Sequence, residues 1–411
     1  MLLGPVPVTT ASPPSARPVV RGSAPEAIEG TGPKRTEGHG DRDAWRAPFG
    51  GGHTAITPAD VRPHVERLAS RAFGGRRGLG GARAALYIAD HFYRLGLEPL
   101  FDTGYFQPIP AYGSAADERA LGRNVGAWLP GSDPDLRHQY VILSAHYDHL
   151  GMPGGRLYPG ADDNASGVAM LLEVARSLAA LPPPPCSILL VAFDLEEAGL
   201  WGSRWFAAHP PRPLDEVRLF ITADMIGRSL GALAEDYVFV LGSEHAPPLR
   251  DLVARCDTDP SLKVALLGTD LIGTRSDYGP FRARRVPYLF FSTGEHPDYH
   301  QPTDTPEKVD YEKLARVSQL MYGVTLEAAR APDRPDWIDR PEPDLVEVRA
   351  VHGILTDVLA HDGPAALEGM QRRLVTNTHA TLEHILRRGT ITAAERRWLA
   401  RVSLLLLATV F

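Results

Sequence analysis

Short apolar runs alternate with longer segments of helical period through the middle of this 411-residue chain. Runs of four to eight apolar and β-branched residues between turn signals are typical of buried strands. Such runs predict strands at 140–145, 187–193, 217–223, 237–241, 264–267 and 288–292. Apolar residues three or four positions apart predict helices at 167–180, 200–208, 246–256 and 310–330. Because strands alternate with helices, the predicted fold class is α/β. It is a three-layer α/β/α sandwich whose mixed sheet is mostly parallel.

The segment before this alternation divides into two parts. Residues 1–52 are rich in Pro, Gly, Ser and charge, and too poor in apolar residues to offset chain entropy, so we expect a disordered arm. From Ile56 the pattern changes, and Thr57-Pro58 is typical of an N-cap followed by Pro at the first helical position. A second helix at 81–95 and an outer strand at 105–111 are predicted next.

The segment after residue 331 begins with PDRPDWIDRPEPD, which is typical of a linker. Three helices are predicted behind it, at 343–361, 364–387 and 392–409. Their apolar residues recur at helical spacing and favour a packing face over a cofactor site. The predicted domains are therefore the arm at 1–52, a domain at 53–332 and a linker with a helical C-terminal extension at 333–411.

Composition and charge exclude several classes of function. A net charge of −7 provides no broad basic surface for nucleic acid or an anionic membrane. No apolar run is long enough for a transmembrane helix. Cys186 and Cys256 are the two cysteines, which are too few for a disulfide framework or a cysteine-based zinc cluster.

Acids and imidazoles follow the predicted strands at the points where the strands end. His146, Asp148 and His149 follow the first, and Asp162 and Asp163 come in the loop behind them. Later strand ends bring Asp194, Glu196 and Glu197, then Asp224, then His300. In open α/β sheets, ligands bind beyond the carboxyl ends of the strands. Histidine with carboxylates and without cysteine is the donor set of a catalytic metal site. Taken singly, a His-x-Asp pair is usually a hydrogen-bonded surface pair, and DDNASG is compatible with a loop and helix N-cap.

Five motifs in order, AHYDH, GADDNASG, DLEEAGLWGS, ADMIGR and DYHQPTDT, resemble those of the co-catalytic dizinc aminopeptidase family. This family includes bacterial leucyl aminopeptidases, with glutamate carboxypeptidase and glutaminyl cyclase as relatives. The resemblance covers roughly residues 55 to 332. It implies a zinc-exopeptidase fold, two Zn²⁺ per chain and peptide substrates.

The resemblance also implies a role for each matching residue. His146 and Asp224 match the ligands of one zinc, Glu197 and His300 those of the other, and Asp162 the carboxylate that bridges them. Glu196 matches the general base that takes a proton from the metal-bridging water. Asp148 matches the acid that orients His146, and Asp163 the acid that follows the bridging ligand in a tight turn. Tyr299 matches a tyrosine that steadies the scissile carbonyl in some members, whereas His149 is interpreted as an outer or surface residue.

The predicted function is a zinc-dependent exopeptidase, an aminopeptidase that hydrolyses N-terminal residues of peptides with Glu196 as general base. The alternatives are a glutaminyl cyclase-like acyltransferase and a catalytically silent binding domain on the same fold. No nucleic-acid partner is expected, and the C-terminal helices are expected to cap the domain or mediate self-association. The location stays open: the resemblance is compatible with a soluble, secreted or otherwise extracytoplasmic protein, but the N-terminus has no convincing signal peptide.

Overall fold

The computed structural model describes residues 55–111, 120–361, 367 and 369–410. The predicted disordered arm at 1–52 lies outside these residues. Among the described residues, nine strands form one mixed sheet in the order β1-β3-β5-β4-β6-β9-β7-β8, with β2 paired to β3. The strands are β1 Glu98–Pro99, β2 Phe106–Ile109, β3 Gly122–Leu129, β4 Tyr140–His146, β5 Ser187–Phe193, β6 Val217–Ala223, β7 Tyr237–Leu241, β8 Lys263–Leu267 and β9 Tyr288–Ser292.

The centre of the sheet is parallel and its margins contain antiparallel pairs. Strand β4 pairs in parallel with β5 and β6, and β6 pairs in parallel with β9. Strand β3 runs antiparallel to β5 on one side, and β7 runs antiparallel to β9 on the other. The four central strands β5, β4, β6 and β9 therefore end at the same edge of the sheet, which is where the acidic and imidazole motifs follow them.

Helices cover both faces of the sheet. They are α1 Pro58–Leu68, α2 Leu79–Arg94, α3 Gly167–Ala179, α4 Trp201–Ala208, α5 Pro248–Cys256, α6 Gly279–Arg282, α7 Tyr311–Arg330, α8 Leu345–Ala360, α9 Gly369–Arg388 and α10 Ala393–Thr409. Alternate residues of β4 enter different cores: Val141 and Leu143 pack with α1, α3 and α7, whereas Ile142 packs with α4, α6 and α8. Because successive side chains of a strand point to opposite faces, one apolar strand serves two cores. The predicted three-layer α/β/α sandwich is confirmed.

Strand β3 was not predicted from the sequence. It reads GRNVGAWL, and its two glycines and Asn124 lower its strand propensity and hide its apolar positions. Pairing with β5 and β2 nevertheless keeps it in the sheet, and Asn124 Nδ2 donates hydrogen bonds to Gln107 Oε1 and Gly202 O at 2.9 and 3.0 Å. Tertiary contacts thus compensate for a weak local preference.

The C-terminal extension packs on the face of the sheet that carries α4 and α6. Apolar residues of α8, α9 and α10 share one core with residues of β7 and β9. Arg396 on α10 pairs with Asp270 at 2.6 Å and with Glu347 on α8 at 2.5 Å. The linker before α8 also binds the domain, since Trp337 stacks on His245 with ring centroids 4.2 Å apart. The predicted helices are therefore present, and they cap the domain.

Within the described part of the chain, no helix combines the length and the apolar character that crossing a membrane requires.

Candidate metal centre

The candidate metal centre lies at the sheet edge where the four central strands end. His146 is the last residue of β4, and Glu196 and Glu197 follow β5 within four residues. Asp224 follows β6 directly, and His300 lies in the loop after β9. Because these strands are neighbours and parallel, their carboxyl ends bring the side chains together from distant parts of the chain.

One group of donor atoms consists of His146, Asp224 and Glu196. His146 Nε2 lies 3.2 Å from Asp224 Oδ1. One ligand atom from each of the three residues lies within 4.8 Å of the other two, as metal binding requires. Asp224 is 8% and His146 1% exposed, so solvent does not compete strongly for these atoms.

A second group of donor atoms surrounds Glu197. Its Oε1 lies 2.8 Å from His149 Nδ1, and its Oε2 lies 3.1 Å from His300 Nε2. His149, Asp163 and Glu197 also place ligand atoms within 4.8 Å of one another. His149 was interpreted from the sequence as an outer or surface residue, but it is 1% exposed and faces the same carboxylates as His300.

Asp163 lies between the two groups. Its Oδ1 is 3.4 Å from His146 Nε2, and its Oδ2 is 3.1 Å from His300 Nε2. One carboxylate thus faces an imidazole of each group through a different oxygen. This is the arrangement that a carboxylate bridging two metal ions needs.

Asp162 does not have this position, and the structure corrects its predicted bridging role. Its Oδ1 accepts a hydrogen bond from Gly227 N at 2.6 Å, and its Oδ2 faces His296 Nε2 at 3.4 Å. The carboxylate of Asp162 therefore points away from His146 and His300. The prediction that Asp163 merely follows the bridging residue is corrected for the same reason.

The backbone of this acidic pair is held by Asp304, which belongs to the DYHQPTDT motif. Asp304 Oδ2 accepts hydrogen bonds from the amides of Asp162 and Asp163, each at 3.1 Å. Asp304 is fully buried. It holds the backbone of both aspartates in place, and the sequence did not indicate this role.

Asp148 and Tyr299 lie beside the two groups as predicted. Asp148 Oδ1 is 3.7 Å from His146 Nδ1, an ion-pair distance longer than a hydrogen bond. Its two oxygens accept from the amides of Glu196 and Glu197 at 3.0 and 3.3 Å, so Asp148 also orients the loop that carries both glutamates. Tyr299 stacks on His300 with ring centroids 3.9 Å apart and lines the same cavity as Asp163 and Glu196.

The two adjacent glutamates have opposite electrostatic environments. Burial raises the pKa of Glu196 to about 10; His146 opposes this shift, and Asp224, Asp277 and Asp148 add to it. Burial also raises the pKa of Glu197, but the hydrogen bonds with His149 and His300 outweigh burial and lower it to about 2. Glu197 is therefore held as an anion by its neighbours, whereas Glu196 has a high affinity for a proton. Bound cations would lower the pKa of both carboxyls.

Burial and neighbouring carboxylates also set the state of His300. Burial lowers its pKa, but hydrogen bonds with Asp163 and Glu197 outweigh burial and raise the pKa to about 10. Without a metal ion, an imidazole with so high a pKa carries a proton and a positive charge. In the metal-bound protein, the ion would supply the positive charge and the ring would be neutral.

The donor atoms fit zinc. Among the candidate ligand atoms, the buried Asp163 Oδ2 meets no donor in good hydrogen-bond geometry in the described part of the chain, although His300 Nε2 lies 3.1 Å from it. Buried polar atoms in native proteins are normally paired, so unpaired ones at a cluster of ligands indicate a missing partner. Imidazole and carboxylate donors without cysteine are typical of catalytic zinc, whose coordination stays partly open.

Arg76 fixes the loop that carries Asp163, although it lies far from the motifs in the sequence. It is fully buried, and its guanidinium donates only to backbone carbonyls in the bonds resolved here. The acceptors and distances are Tyr147 O 2.8 Å, Leu68 O 3.2 Å, Pro159 O 2.6 Å, Gly160 O 2.8 Å and Asp163 O 3.1 Å. Arg76 thus ties the residues after β4 to those around Asp163.

We expect Arg76→Met to lower both the thermal stability and the zinc content. Each buried carbonyl that loses its donor costs about 1–3 kcal/mol, so the melting temperature should fall by at least several degrees. Calorimetry and metal analysis measure the two effects. Arg77→Met is the matched control, because Arg77 is the exposed neighbour. Equal melting temperature and zinc content in the two variants would contradict the positioning role of Arg76.

Comparisons with known proteins match the part of the chain that contains this site. The sequence profile described as Peptidase family M28 matches residues 124–325, which include all the ligand candidates. Aminopeptidase YwaD from Bacillus subtilis is 28% identical over 215 residues, which cover 50% of this chain and 45% of YwaD. A glutaminyl-peptide cyclotransferase from Boiga irregularis is 26% identical over 233 residues, which cover 47% of this chain and 62% of the relative. The chain therefore spans less than two thirds of the length of these relatives.

A solved structure shows the same fold. The structure of BSAP, a zinc aminopeptidase from Bacillus subtilis, superposes with a TM-score of 0.54 at 16% identity and covers 70% of this chain and 99% of the other. At this identity the likeness concerns the fold. The profile match confirms the resemblance predicted from the motifs: residues 124–325 are similar to peptidase family M28.

Proposed function

We propose that this chain is a zinc-dependent exopeptidase that removes N-terminal residues from peptides with two zinc ions per chain. The observation that carries the proposal is the position of Asp163, whose two oxygens face His146 and His300 at 3.4 and 3.1 Å. A shared carboxylate between two donor groups is what a pair of cooperating cations needs.

The side chains divide into two sets of ligands. His146 and Asp224 would hold one zinc ion, and Glu197 and His300 the other, with Asp163 shared between them. His149 lies beside the second set, 2.8 Å from Glu197. When bound, zinc supplies Lewis acidity that polarises a carbonyl group and makes water more acidic.

Glu196 and Tyr299 have the positions of groups that act on the substrate. Glu196 lines the cavity and its carboxyl group has no side-chain partner among the hydrogen bonds resolved here, so it is available to take a proton from the attacking water. It can then return that proton to the leaving amine. Tyr299 lines the same cavity, where its hydroxyl group can donate to the carbonyl oxygen of the scissile bond.

The charge of the cavity favours a peptide amino terminus over a carboxyl terminus. Asp163, Glu196 and Asp224 line one end of it. Among the described residues that line it, Arg275 is the one arginine or lysine, and it is already paired with Glu295. A carboxypeptidase needs a free cation for the terminal carboxylate, and the described lining provides no arginine or lysine that is free for this role.

Substrate panels with the zinc-loaded protein test the proposed activity. Aminoacyl 4-nitroanilides, N-acetylated aminoacyl 4-nitroanilides and a peptide with N-terminal glutamine separate the alternatives. We expect release of 4-nitroaniline from the unblocked substrates, loss with a chelator and recovery with zinc. Turnover confined to the N-acetylated substrates would contradict an aminopeptidase. Cyclisation of the glutaminyl peptide without hydrolysis of any substrate would favour the acyltransferase.

We expect close to two zinc ions per chain at saturation, because two donor groups share one carboxylate. Titration of the metal-free protein with zinc, followed by elemental analysis after gel filtration, measures the stoichiometry. His300→Ala is the control, since it should weaken binding at one site and leave the other occupied. Full activity of the unmodified protein at one bound zinc would contradict the dinuclear proposal.

A further inference from the structure

The cavity at the metal centre continues into a large apolar pocket. It has a volume of about 440 Å³, and Asp163, Glu196 and Asp224 lie at its polar end. The part of the chain that the family profile matches contributes apolar walls from its strands and from the segments after β6 and β8. These apolar residues are Met225, Leu230, Phe239, Leu241, Leu267, Leu271, Ile272 and Phe290.

The C-terminal extension forms the remaining wall. Val351, Ile354 and Leu355 of α8 line the pocket, as do Leu404, Leu406, Leu407 and Ala408 of α10. These residues lie outside the stretch that the family profile matches, 124–325. Among its described residues the extension supplies no zinc ligand candidate, but it provides one wall of the pocket.

This wall is fixed to residues 124–325, the part that the family profile matches, by polar contacts as well as by packing. Arg396 of α10 bridges Asp270 and Glu347. On α8, Asp357 accepts hydrogen bonds from Tyr237 Oη and Lys263 Nζ, each at 2.7 Å. A wall anchored at both helices has a defined distance from the metal centre, which is a condition for selecting substrates by size.

We propose that α8 and α10 complete the pocket for the side chain of the N-terminal residue, and that the enzyme prefers large apolar side chains there. This inference rests on the proposed aminopeptidase function. The free terminal amine and the scissile bond lie at the acidic end, so the side chain beside them extends toward the apolar walls. The volume is within the roughly 300–1,000 Å³ range of ligand pockets and leaves a small side chain such as that of alanine with little contact.

Leu404 offers a direct test because the next residue is a matched control. Leu404 lines the pocket and is 46% exposed, whereas Leu405 is 47% exposed and is not among the lining residues. A tryptophan at either position extends into open space, so neither substitution requires the core to repack. Only Leu404→Trp should fill the pocket.

We expect the unmodified zinc-loaded protein to have a kcat/KM for leucine and phenylalanine 4-nitroanilides at least tenfold above that for alanine 4-nitroanilide. Leu404→Trp should lower the value for the large substrates about tenfold or more and change the value for alanine by less than about threefold. Leu405→Trp should have the profile of the unmodified protein. Zinc content and melting temperature of both variants show that the metal centre and the fold are intact.

The outcomes separate this inference from the proposed function. Absence of turnover with every unblocked substrate would overturn the proposed function itself. Turnover with alanine preferred, or with equal profiles for Leu404→Trp and Leu405→Trp, would overturn the inference and leave the peptidase activity established. If Leu404→Trp does not fold, Ala408→Phe provides the same test, because Ala408 is an exposed residue of the same wall.

Discussion

Replacing Glu196 by glutamine is expected to lower kcat by about 10²–10⁴-fold while zinc content and melting temperature hardly change. Glutamine keeps the size of the side chain but cannot accept a proton. Glu196 lines the cavity, and its pKa is raised to about 10 by burial and by Asp224, Asp277 and Asp148 against the effect of His146. Bound cations would lower this pKa, and the ionised carboxylate is the form that accepts a proton from water. Steady-state kinetics with an unblocked aminoacyl substrate, together with metal analysis, measures both effects.

Glu197→Gln is the matched control, because the two glutamates are adjacent but have different partners. Glu197 lies between His149 and His300 at 2.8 and 3.1 Å, and these contacts lower its pKa to about 2 despite burial. Its substitution should reduce zinc content together with activity. If Glu196→Gln lost zinc as Glu197→Gln does, Glu196 would be a ligand of the group that contains His146 and Asp224.

The sequence predicted the central fold because each element there has a strong local pattern. Strand β4 is buried at every position, and its unbroken apolar run is readily recognised. The carboxyl end of each strand can be located from such a run. The sequence alone therefore placed four residues at one sheet edge: His146, Glu196, Glu197 and Asp224. Strand β3, in contrast, is in the sheet mainly through its pairing with β5 and β2, which no local pattern expresses.

The choice between Asp162 and Asp163 was beyond the sequence for a physical reason. The two residues are chemically identical neighbours, and either fits a strand-to-helix loop. The amide of Gly227, 65 residues away, binds the carboxylate of Asp162, and Asp304, more than 140 residues away, holds the backbone of both residues. Motif spacing alone cannot contain this information.

The substrate pocket was also only partly predictable. The sequence did not indicate that much of its wall comes from the helices α8 and α10. The apolar pattern of these helices was correctly interpreted as a packing face. How the helix docks decides which of its apolar side chains pack and which line the cavity: on α10, Val402 packs in the core and Leu404 lines the pocket. Self-association through this extension stays a prediction.

Asp163→Asn should reduce zinc binding at both sites, and with it nearly all activity. The carboxylate faces His146 through Oδ1 and His300 through Oδ2, and an asparagine has one oxygen and no charge to share between two cations. Loss of an outer partner of a ligand already costs about 10–100-fold in metal affinity or activity, so loss of a shared ligand should cost at least that much at each site. Zinc titration of the metal-free variant measures the affinities, and steady-state kinetics measures the activity.

Asp162→Asn is the decisive comparison, since it makes the same chemical change one residue earlier. Asparagine at this position can still accept the hydrogen bond from Gly227 through Oδ1, which Asp162 accepts at 2.6 Å. The variant should therefore keep its zinc stoichiometry, and its defect should be a loss of unfolding free energy of up to about 1–3 kcal/mol from the weakened bond. The reverse pattern, with zinc lost at both sites in Asp162→Asn and kept in Asp163→Asn, would restore Asp162 as the bridging ligand. Equal losses in both variants would mean that the loop, rather than one carboxylate, determines metal binding.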